Sequence, residues 1–326
     1  MTAYNKTIGI MALSTLKGIG PSFIKKVVTS QSFLSNNLCR EILEIVKNGN
    51  KHIEAELIAS AIENAHDTLL KCNLANIHVV DVTNPEYPSL LKEIKDPPPI
   101  IYCKGNLNLL NANILCIIGT RKPNENGIKI SERIGLHYAN SGWTICNGLA
   151  DGVDSFVIDS GGSNKPSVVG VLAGGLNYDA QKTLLTKTAK NATIVIENNG
   201  LLISEMPPDK KEDTFSVVKS CRIQAGISKG LILIQSGLEG GSRYTIKSFC
   251  ETQRPIAVIN PIQSDYDLPT YNANKEIIQN NKKGLSKFTE LKEDKIQISR
   301  IFIIKSKNDY TEFEDLMINR KKILSK

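Results

Sequence analysis

Short apolar runs alternate with amphipathic stretches through the middle of the chain, from residue 114 to residue 261. Each run has the length of a buried strand and ends at glycine or small polar residues, after which a helical spacing of apolar positions begins. The predicted strands are 114–118, 144–146, 168–172, 201–204, 231–234 and 256–259. The predicted helices are 126–139, 153–159, parts of 178–198, 219–227 and 244–253. This alternation is typical of a parallel sheet that helices cover on both faces.

The N-terminal residues 1–75 have helical spacing instead and form a predicted helical module. Its notable stretch is Leu-Lys-Gly-Ile-Gly-Pro at 16–21, between two short amphipathic patterns. One interpretation is a helix–hairpin–helix, in which Gly18 and Gly20 let backbone N–H groups approach a DNA phosphate. The other is a plain helical turn with Pro21 at a helix start.

The alternating region belongs to a predicted domain of residues 76–262, and residues 263–326 form a charge-rich C-terminal segment. Outside the alternating region, short strands are predicted at 77–81, 100–102 and 295–304. The first two carry several prolines between them and are expected to pack on the sheet. A basic helix is predicted at 313–324, but the fold of the C-terminal segment is not assigned.

Composition excludes several classes of protein. The chain has 326 residues, a net charge of +7 and seven cysteines that are widely spaced without a Cys-x-x-Cys. The cysteines therefore indicate reduced core residues of a cytoplasmic protein, and neither they nor the four histidines have metal-ligand spacing. No apolar run is long enough to span a bilayer, and the N-terminus lacks a secretory leader pattern. The positive charge is compatible with an anionic partner.

Glycine or small hydroxyl residues follow the predicted strands at one end of the sheet, where the loops of a doubly wound fold bind ligands. Gly119-Thr120-Arg121 follows the first strand of the alternation, and an arginine there has a planar fork suited to phosphate. Five such loops indicate a groove in which backbone N–H groups and a few cations hold an anionic strand. The competing interpretation is a set of tight turns in a close-packed domain.

The loops also carry a run of motifs, in chain order, that resembles the DNA-processing protein A family, also called DprA or Smf. The matching stretches are 119–121 (Gly-Thr-Arg), 147–154 (Asn-Gly-Leu-Ala-Asp-Gly-Val-Asp), 171–176 (Val-Leu-Ala-Gly-Gly-Leu), 203–208 (Ile-Ser-Glu-Met-Pro-Pro), 222–228 (Arg-Ile-Gln-Ala-Gly-Ile-Ser) and 240–245 (Gly-Gly-Ser-Arg-Tyr-Thr). The resemblance covers about residues 86–261.

The resemblance implies an extended Rossmann-like, doubly wound and mostly parallel sheet in a cytoplasmic protein. It also implies binding of single-stranded DNA without sequence preference, protection of that DNA during natural transformation, transfer to a RecA-type recombinase, and a homodimer. No enzymatic activity, metal or cofactor is implied. The DNA-binding residues expected on this basis are Gly119, Thr120, Arg121, Lys122, Asn147, Gly148, Gly174, Gly175, Lys219, Arg222, Gly240, Gly241, Ser242 and Thr245. Phe215 and Tyr244 are the candidate rings for base stacking.

This chain departs from the family motifs at several charged positions. Ser220 and Cys221 replace an Arg-Asn pair, Asp151 replaces an arginine, and Ile158 stands where a histidine is usual. Each lost phosphate contact weakens DNA binding and its dependence on salt, although Arg243 is a further candidate cation.

A second function remains open from the sequence. The glycine-rich stretch from Gly240, with Glu251 further on, also resembles a loop of nucleoside-monophosphate phosphoribohydrolases. The alternative is therefore a nucleotide-binding enzyme or sensor, with Glu205 or Glu239 as its candidate acidic residue.

Overall fold

The structure is a computed structural model that describes residues 2–30, 37–159 and 165–319. In these ranges the chain forms one nine-stranded sheet. Its strands are β1 (His78–Asp81), β2 (Ile100–Gly105), β3 (Ile114–Ile118), β4 (Thr144–Asn147), β5 (Val168–Leu172), β6 (Leu201–Ser204), β7 (Gly230–Leu233), β8 (Ile256–Ile259) and β9 (Ile301–Ile304). The strand order is β1-β2-β6-β5-β4-β3-β7-β8-β9. Seven neighbouring strands, β6 to β9 in this order, are parallel, whereas β1 and β2 extend the sheet antiparallel at one edge.

Helices connect these strands and cover both faces of the sheet. In the described residues they are α1 (Thr2–Thr15), α2 (Pro21–Ser30), α3 (Leu38–Asn48), α4 (Ala55–Leu74), α5 (Ser89–Lys92), α6 (Glu125–Asn140), α7 (Val153–Ile158), α8 (Tyr178–Gln181), α9 (Thr186–Glu197), α10 (Thr214–Ile227), α11 (Ser242–Cys250), α12 (Asn272–Asn280), α13 (Lys282–Thr289) and α14 (Asp309–Ile318). The predicted class, a doubly wound Rossmann-like fold with a helical N-terminal module, is confirmed.

Alternate residues of the central strands point to opposite faces, and each face has its own apolar core. Ile117 of β3 packs with Ile134 of α6 and with Phe313 of α14 on one face. Ile118, its neighbour in sequence, packs with Ile246 of α11 and other residues on the opposite face. Because both sides of the strand are buried, these strands appear in the sequence as continuous apolar runs.

The helical module packs against the β1 edge of the sheet. Thr7 on α1 donates a hydrogen bond of 2.8 Å to Asp81 at the end of β1, and α4 also contacts this strand. The apolar side chains of α1, α2, α3 and α4 belong to the same core as Tyr102 of β2 and Leu202 of β6. The boundary at residue 75 remains a prediction, because the module and the sheet share this core.

The C-terminal segment joins the same sheet. Its strand β9 pairs parallel with β8, and α12, α13 and α14 cover the two faces there. The strand is shorter than predicted: 293–295 form a 3₁₀ turn, 296–300 are irregular, and the strand begins at Ile301. The predicted basic helix at 313–324 instead begins at Asp309, ends at Ile318 and carries acidic residues, and residues 320–324 lie outside the described residues. Among the helices of the described ranges, none is long and apolar enough to cross a membrane.

Candidate nucleic-acid interface

The loops after β3 and β7 meet where the strand order reverses. The chain proceeds from β3 to β4 on one side and from β7 to β8 on the other, so the two loops diverge and leave a crevice. The N–H of Thr120 donates to the carbonyl oxygen of Gln235 at 2.7 Å. The N–H of Val153 donates to the carbonyl oxygen of Thr120 at 3.1 Å. The loops 119–122, 147–154 and 235–242 therefore form one surface, which we call the rim.

Arg121 and Lys122 are the predicted cations that the rim exposes. Both are exposed, and neither side chain has a hydrogen-bond or ion-pair partner among the residues that the structure describes. The turn that carries them packs against the second loop, because Gly152, with a φ of 80°, lies against the backbone of Thr120 and Arg121. A side chain at residue 152 would clash with that backbone. The rim therefore presents two cations whose charge is available to an anionic ligand.

The second loop turns its polar groups inward. The Oδ2 of Asp154 accepts the N–H groups of Gly148 and Ala150, each at 3.2 Å, and the amide of Asn147 donates to the Asp154 carbonyl oxygen at 3.3 Å. Asn147 is fully buried and shapes the loop through these bonds, so its role as a direct ligand stays a prediction that its burial does not favour. Gly148 is half-buried, and its N–H is already used.

Asp154 carries a carboxyl group whose ionisation is disfavoured. Burial raises its pKa from 3.8 to about 7, although the N–H groups of Ala150 and Gly148 and the charge of Arg121 act in the opposite direction. The folded protein therefore holds a proton between about pH 4 and pH 7 that the unfolded chain releases. Stability from this group is fully present below pH 4 and is lost as pH rises through 7.

We expect Asp154→Asn to remove this dependence. Its amide oxygen can still accept the two N–H groups, so the variant should gain stability relative to the parent by about 1–2 kcal/mol between pH 5 and pH 8. Urea unfolding at several pH values measures the difference. A difference that stays constant with pH would contradict the raised pKa.

The glycine-rich loop after β7 is partly open. A Cβ at Gly241 would meet no atom within 4 Å, so backbone is accessible there, at the start of α11. The hydroxyl of Ser242 lies 2.7 Å from that of Ser236, and both Ser242 and Thr245 are buried. The loop can therefore offer the backbone N–H of Gly241, whereas the N–H of Gly240 already donates to the carbonyl oxygen of Gly237 at 3.0 Å. The predicted hydroxyl donors of Ser242 and Thr245 are buried.

Arg222 and Lys219 form ion pairs inside the protein. The two terminal nitrogens of Arg222 contact the two oxygens of Glu205 at 2.6 and 2.7 Å, and its Nε lies 2.9 Å from Asp96. Lys219 lies 3.1 Å from Glu205. Burial disfavours the charged guanidinium, but hydrogen bonds and charges of Glu205 and Asp96 outweigh it and raise the pKa of Arg222.

The role of Arg222 as a phosphate ligand stays a prediction, and the ion pairs count against it. Its fork is occupied by a carboxylate of the same chain, which a phosphate would have to displace. Arg243 is engaged in a similar way, at 3.2 Å from Glu239 and 3.5 Å from Glu290.

Gly174 and Gly175 lie outside the exposed rim, and their role as ligand contacts stays a prediction that the structure does not favour. Both are buried, and a Cβ at either residue would clash with backbone atoms of Thr183 or of Pro207 and Pro208. These glycines permit close packing between the loops after β5 and β6.

The two candidate stacking rings differ in access. Phe215 on the first turn of α10 is 75% exposed. Tyr244 is half-buried, and the Arg243 guanidinium lies 5.0 Å from its ring centre. Of these two rings, Phe215 therefore offers the more open face.

Several residues that hold the rim in place were missed from the sequence. Asn274 on α12 accepts the N–H of Ser236 at 3.0 Å and donates to the carbonyl oxygens of Ile234 and Ile259. Asp265 accepts hydrogen bonds from Asn124 at 2.8 Å and from Asn126 at the start of α6. Single buried polar residues leave no periodic signal, and these two come from a segment whose fold was not assigned.

Within the described ranges, no group of three or more His, Cys, Asp or Glu side chains is arranged to hold a metal ion. The seven cysteines, all within those ranges, are free thiols, and all except Cys39 are buried. The arrangement is suited to holding an anion by charge and backbone donors.

The chain is similar in sequence to one protein family and to several of its members. The model of the family "DNA recombination-mediator protein A" matches residues 78–294. DNA processing protein DprA of Bacillus subtilis (strain 168) is 27% identical over 230 residues, which are 69% of this chain and 75% of that protein. Protein Smf of Synechocystis is 29% identical over 255 residues, which are 76% of this chain and 62% of that protein.

Solved structures show the same fold. DNA processing protein A of Streptococcus pneumoniae superposes with a TM-score of 0.71 at 21% identity, covering 94% of this chain and 97% of that one. DNA processing protein A of Helicobacter pylori gives a TM-score of 0.54 at 23% identity, covering 63% and 89%. Since the family model spans more than half of the chain and includes every loop of the rim, this chain belongs to the DNA recombination-mediator protein A family.

Proposed function

We propose that the rim binds single-stranded DNA by its phosphate backbone. The observation that carries the proposal is the pair of exposed cations, Arg121 and Lys122, on a glycine turn at the reversal of strand order. Gly241 beside them leaves backbone accessible at the start of α11. Cations and backbone N–H groups are the usual phosphate ligands, and neither reads base sequence. The H. pylori relative is described by its single-stranded DNA binding mode, which supports the same ligand here.

The wider role follows from the family. We infer that the chain processes DNA in natural transformation or recombination, protecting single strands and loading a RecA-type recombinase on them. A cytoplasmic homodimer without cofactor or enzymatic activity belongs to this proposal. Two relatives whose alignments cover more than half of this chain bear names that refer to DNA processing, which supports the general role.

The structure favours binding over the alternative of a nucleotide-cleaving enzyme. Glu205, the candidate acid, contacts both Arg222 and Lys219, and its side chain is only 8% exposed, so its oxygens are occupied by partners of the same chain. A dinucleotide in a Rossmann-like fold places its phosphates at the start of the helix that follows the first parallel strand, which is β3 in this chain. Here the Asp265 carboxylate already bonds to Asn124 and Asn126 at the start of that helix, α6, and would repel them.

We expect Arg121→Ala with Lys122→Ala to weaken oligo-dT binding by tenfold or more at low salt. Each lost phosphate contact should also lower the slope of log K against log salt by about 0.7. Fluorescence anisotropy measures both quantities. Arg300→Ala is the control. Arg300 is half-exposed and directly precedes β9, so it lies at the amino ends of the parallel strands, whereas the rim lies at their carboxyl ends.

Equal affinity of the double variant and the parent would remove the rim as the binding surface. The recombinase-loading part is tested separately, by the rate at which a RecA-type recombinase assembles on oligo-dT in the presence of each variant. A double variant that binds DNA poorly but accelerates assembly as the parent does would contradict the link between the two activities.

A further inference from the structure

The hairpin of α1 and α2 is a charged surface that the rim does not use. The connection between the helices is anchored by two buried side chains, Leu16 and Ile19. Between and beside these anchors lie Lys17, Gly18 and Gly20, all of which are exposed. The anchors therefore fix the turn with its two glycines and its lysine facing solvent.

The space beside the two glycines is open, so close packing does not require glycine at either residue. A Cβ at Gly18 or at Gly20 would meet no atom within 4 Å, and only Gly18, with a φ of 82°, has a backbone conformation that favours glycine. Neither N–H group donates to an acceptor in the described part of the chain. The carbonyl oxygen of Gly20 accepts the N–H groups of Phe23 and Ile24 at 3.0 and 3.1 Å, so Gly20 caps α2. Its own N–H and that of Gly18 stay open to the close approach of an external acceptor.

The charge of this hairpin is of one sign. Residues 1–40 contain no Asp or Glu, and their charged residues are Lys6, Lys17, Lys25, Lys26 and Arg40. The acidic residues of the module all follow, from Glu41 onwards. Lys17 in the turn and Lys26 on α2 are exposed. The net positive charge of these residues favours an anionic ligand at the hairpin, although Glu54 lines the same cavity as Lys17.

We propose that this hairpin is a second DNA-binding site, distinct from the rim, and that it takes the phosphate backbone of duplex DNA. Phosphate oxygens accept from the N–H groups of Gly18 and Gly20, close to the positive end of α2, while Lys17 and Lys26 neutralise charge. The surface fits a duplex better than a single strand, because Phe23, the aromatic residue between Ser14 and Val28, is half-buried against the core and offers no fully open ring face to an unpaired base. The chain would then hold duplex and single strand together, as at a junction between them.

The test uses the full chain and two labelled probes, a duplex of about 40 base pairs and oligo-dT. Lys17→Glu with Lys26→Glu should lower duplex affinity at least tenfold at low salt and reduce the salt slope by about 2. Lys47→Glu with Lys51→Glu makes the same change of charge at exposed positions of the module outside the hairpin, and should change duplex affinity less than threefold. Oligo-dT binding should be retained by both variants.

Gly20→Ala tests backbone approach without a change of charge. The new methyl group enters open space, so the thermal unfolding midpoint should stay close to that of the parent. Duplex affinity should nevertheless fall at least fivefold, because the methyl group occupies the position of a phosphate. A structural role for Gly20 would lower the midpoint and leave binding unchanged.

The proposal is overturned if duplex affinity survives both hairpin changes, or if the Lys47 and Lys51 control loses as much. Arg121→Ala separates it from the rim. Loss of oligo-dT binding with duplex binding retained supports two sites. Loss of both probes in Arg121→Ala would assign all DNA binding to the rim. If Arg121→Ala keeps its affinity for oligo-dT, the result contradicts the proposal for the rim and leaves the proposal for the hairpin unaffected.

Discussion

Arg254→Met is expected to lower the free energy of unfolding by about 3 kcal/mol. Arg254 is 1% exposed, and its Nη1 lies 2.7, 2.9 and 2.7 Å from the carbonyl oxygens of Ala225, Gly226 and Ser228. The first two carbonyls belong to the last turn of α10, which has no internal donors for them. Methionine fills a similar volume but leaves these buried acceptors unpaired.

The same arginine also holds α5 and the residue that follows it. Its Nη2 donates to the carbonyl oxygen of Leu90 at 3.0 Å and lies 3.6 Å from Glu93. Arg254→Lys keeps the charge but has one terminal nitrogen, so it should recover only part of the loss. Urea unfolding followed by circular dichroism measures both variants. A methionine variant within 1 kcal/mol of the parent would show that water satisfies these carbonyls.

The central sheet could be predicted from the sequence because its strands are buried on both faces. The run 114–118 is apolar at every position, and the structure places β3 at the same residues. The convergence of the rim loops also followed, since parallel strands end at one edge of a sheet. The exposed cations Arg121 and Lys122 are where that reasoning placed them.

What the sequence did not reveal depends on contacts between distant residues. Arg222 matched a family motif and carries the fork expected of a phosphate ligand, but Glu205 comes close to it only through the geometry of β6 and α10. Asn274 likewise acquires its role from the packing of α12 beside β7 and β8. Propensity and periodicity describe local structure, so they carry no information on which cation is already paired.

The pair of Arg222 and Glu205 should behave as a coupled unit in a double-mutant cycle. Arg222→Met leaves the buried Glu205 with Lys219 alone, and Glu205→Gln leaves Arg222 with Asp96. Each single change should lower the free energy of unfolding by about 3 kcal/mol, because it leaves a buried charge poorly compensated. The double variant should lose less than the sum of the two by about 1.5 kcal/mol or more. Urea unfolding of the four proteins measures the coupling.

DNA binding by the same variants separates the two roles considered for Arg222. If its fork serves the fold, folded Arg222→Met should bind oligo-dT with the parent's affinity and the same salt slope. A slope lower by about 0.7, with little loss of stability, would instead return Arg222 to the set of phosphate ligands. Lys219→Met is the matched comparison, since Lys219 shares Glu205 but is more exposed. Because it leaves the Arg222 pair intact, its cost in stability should be below about 1 kcal/mol.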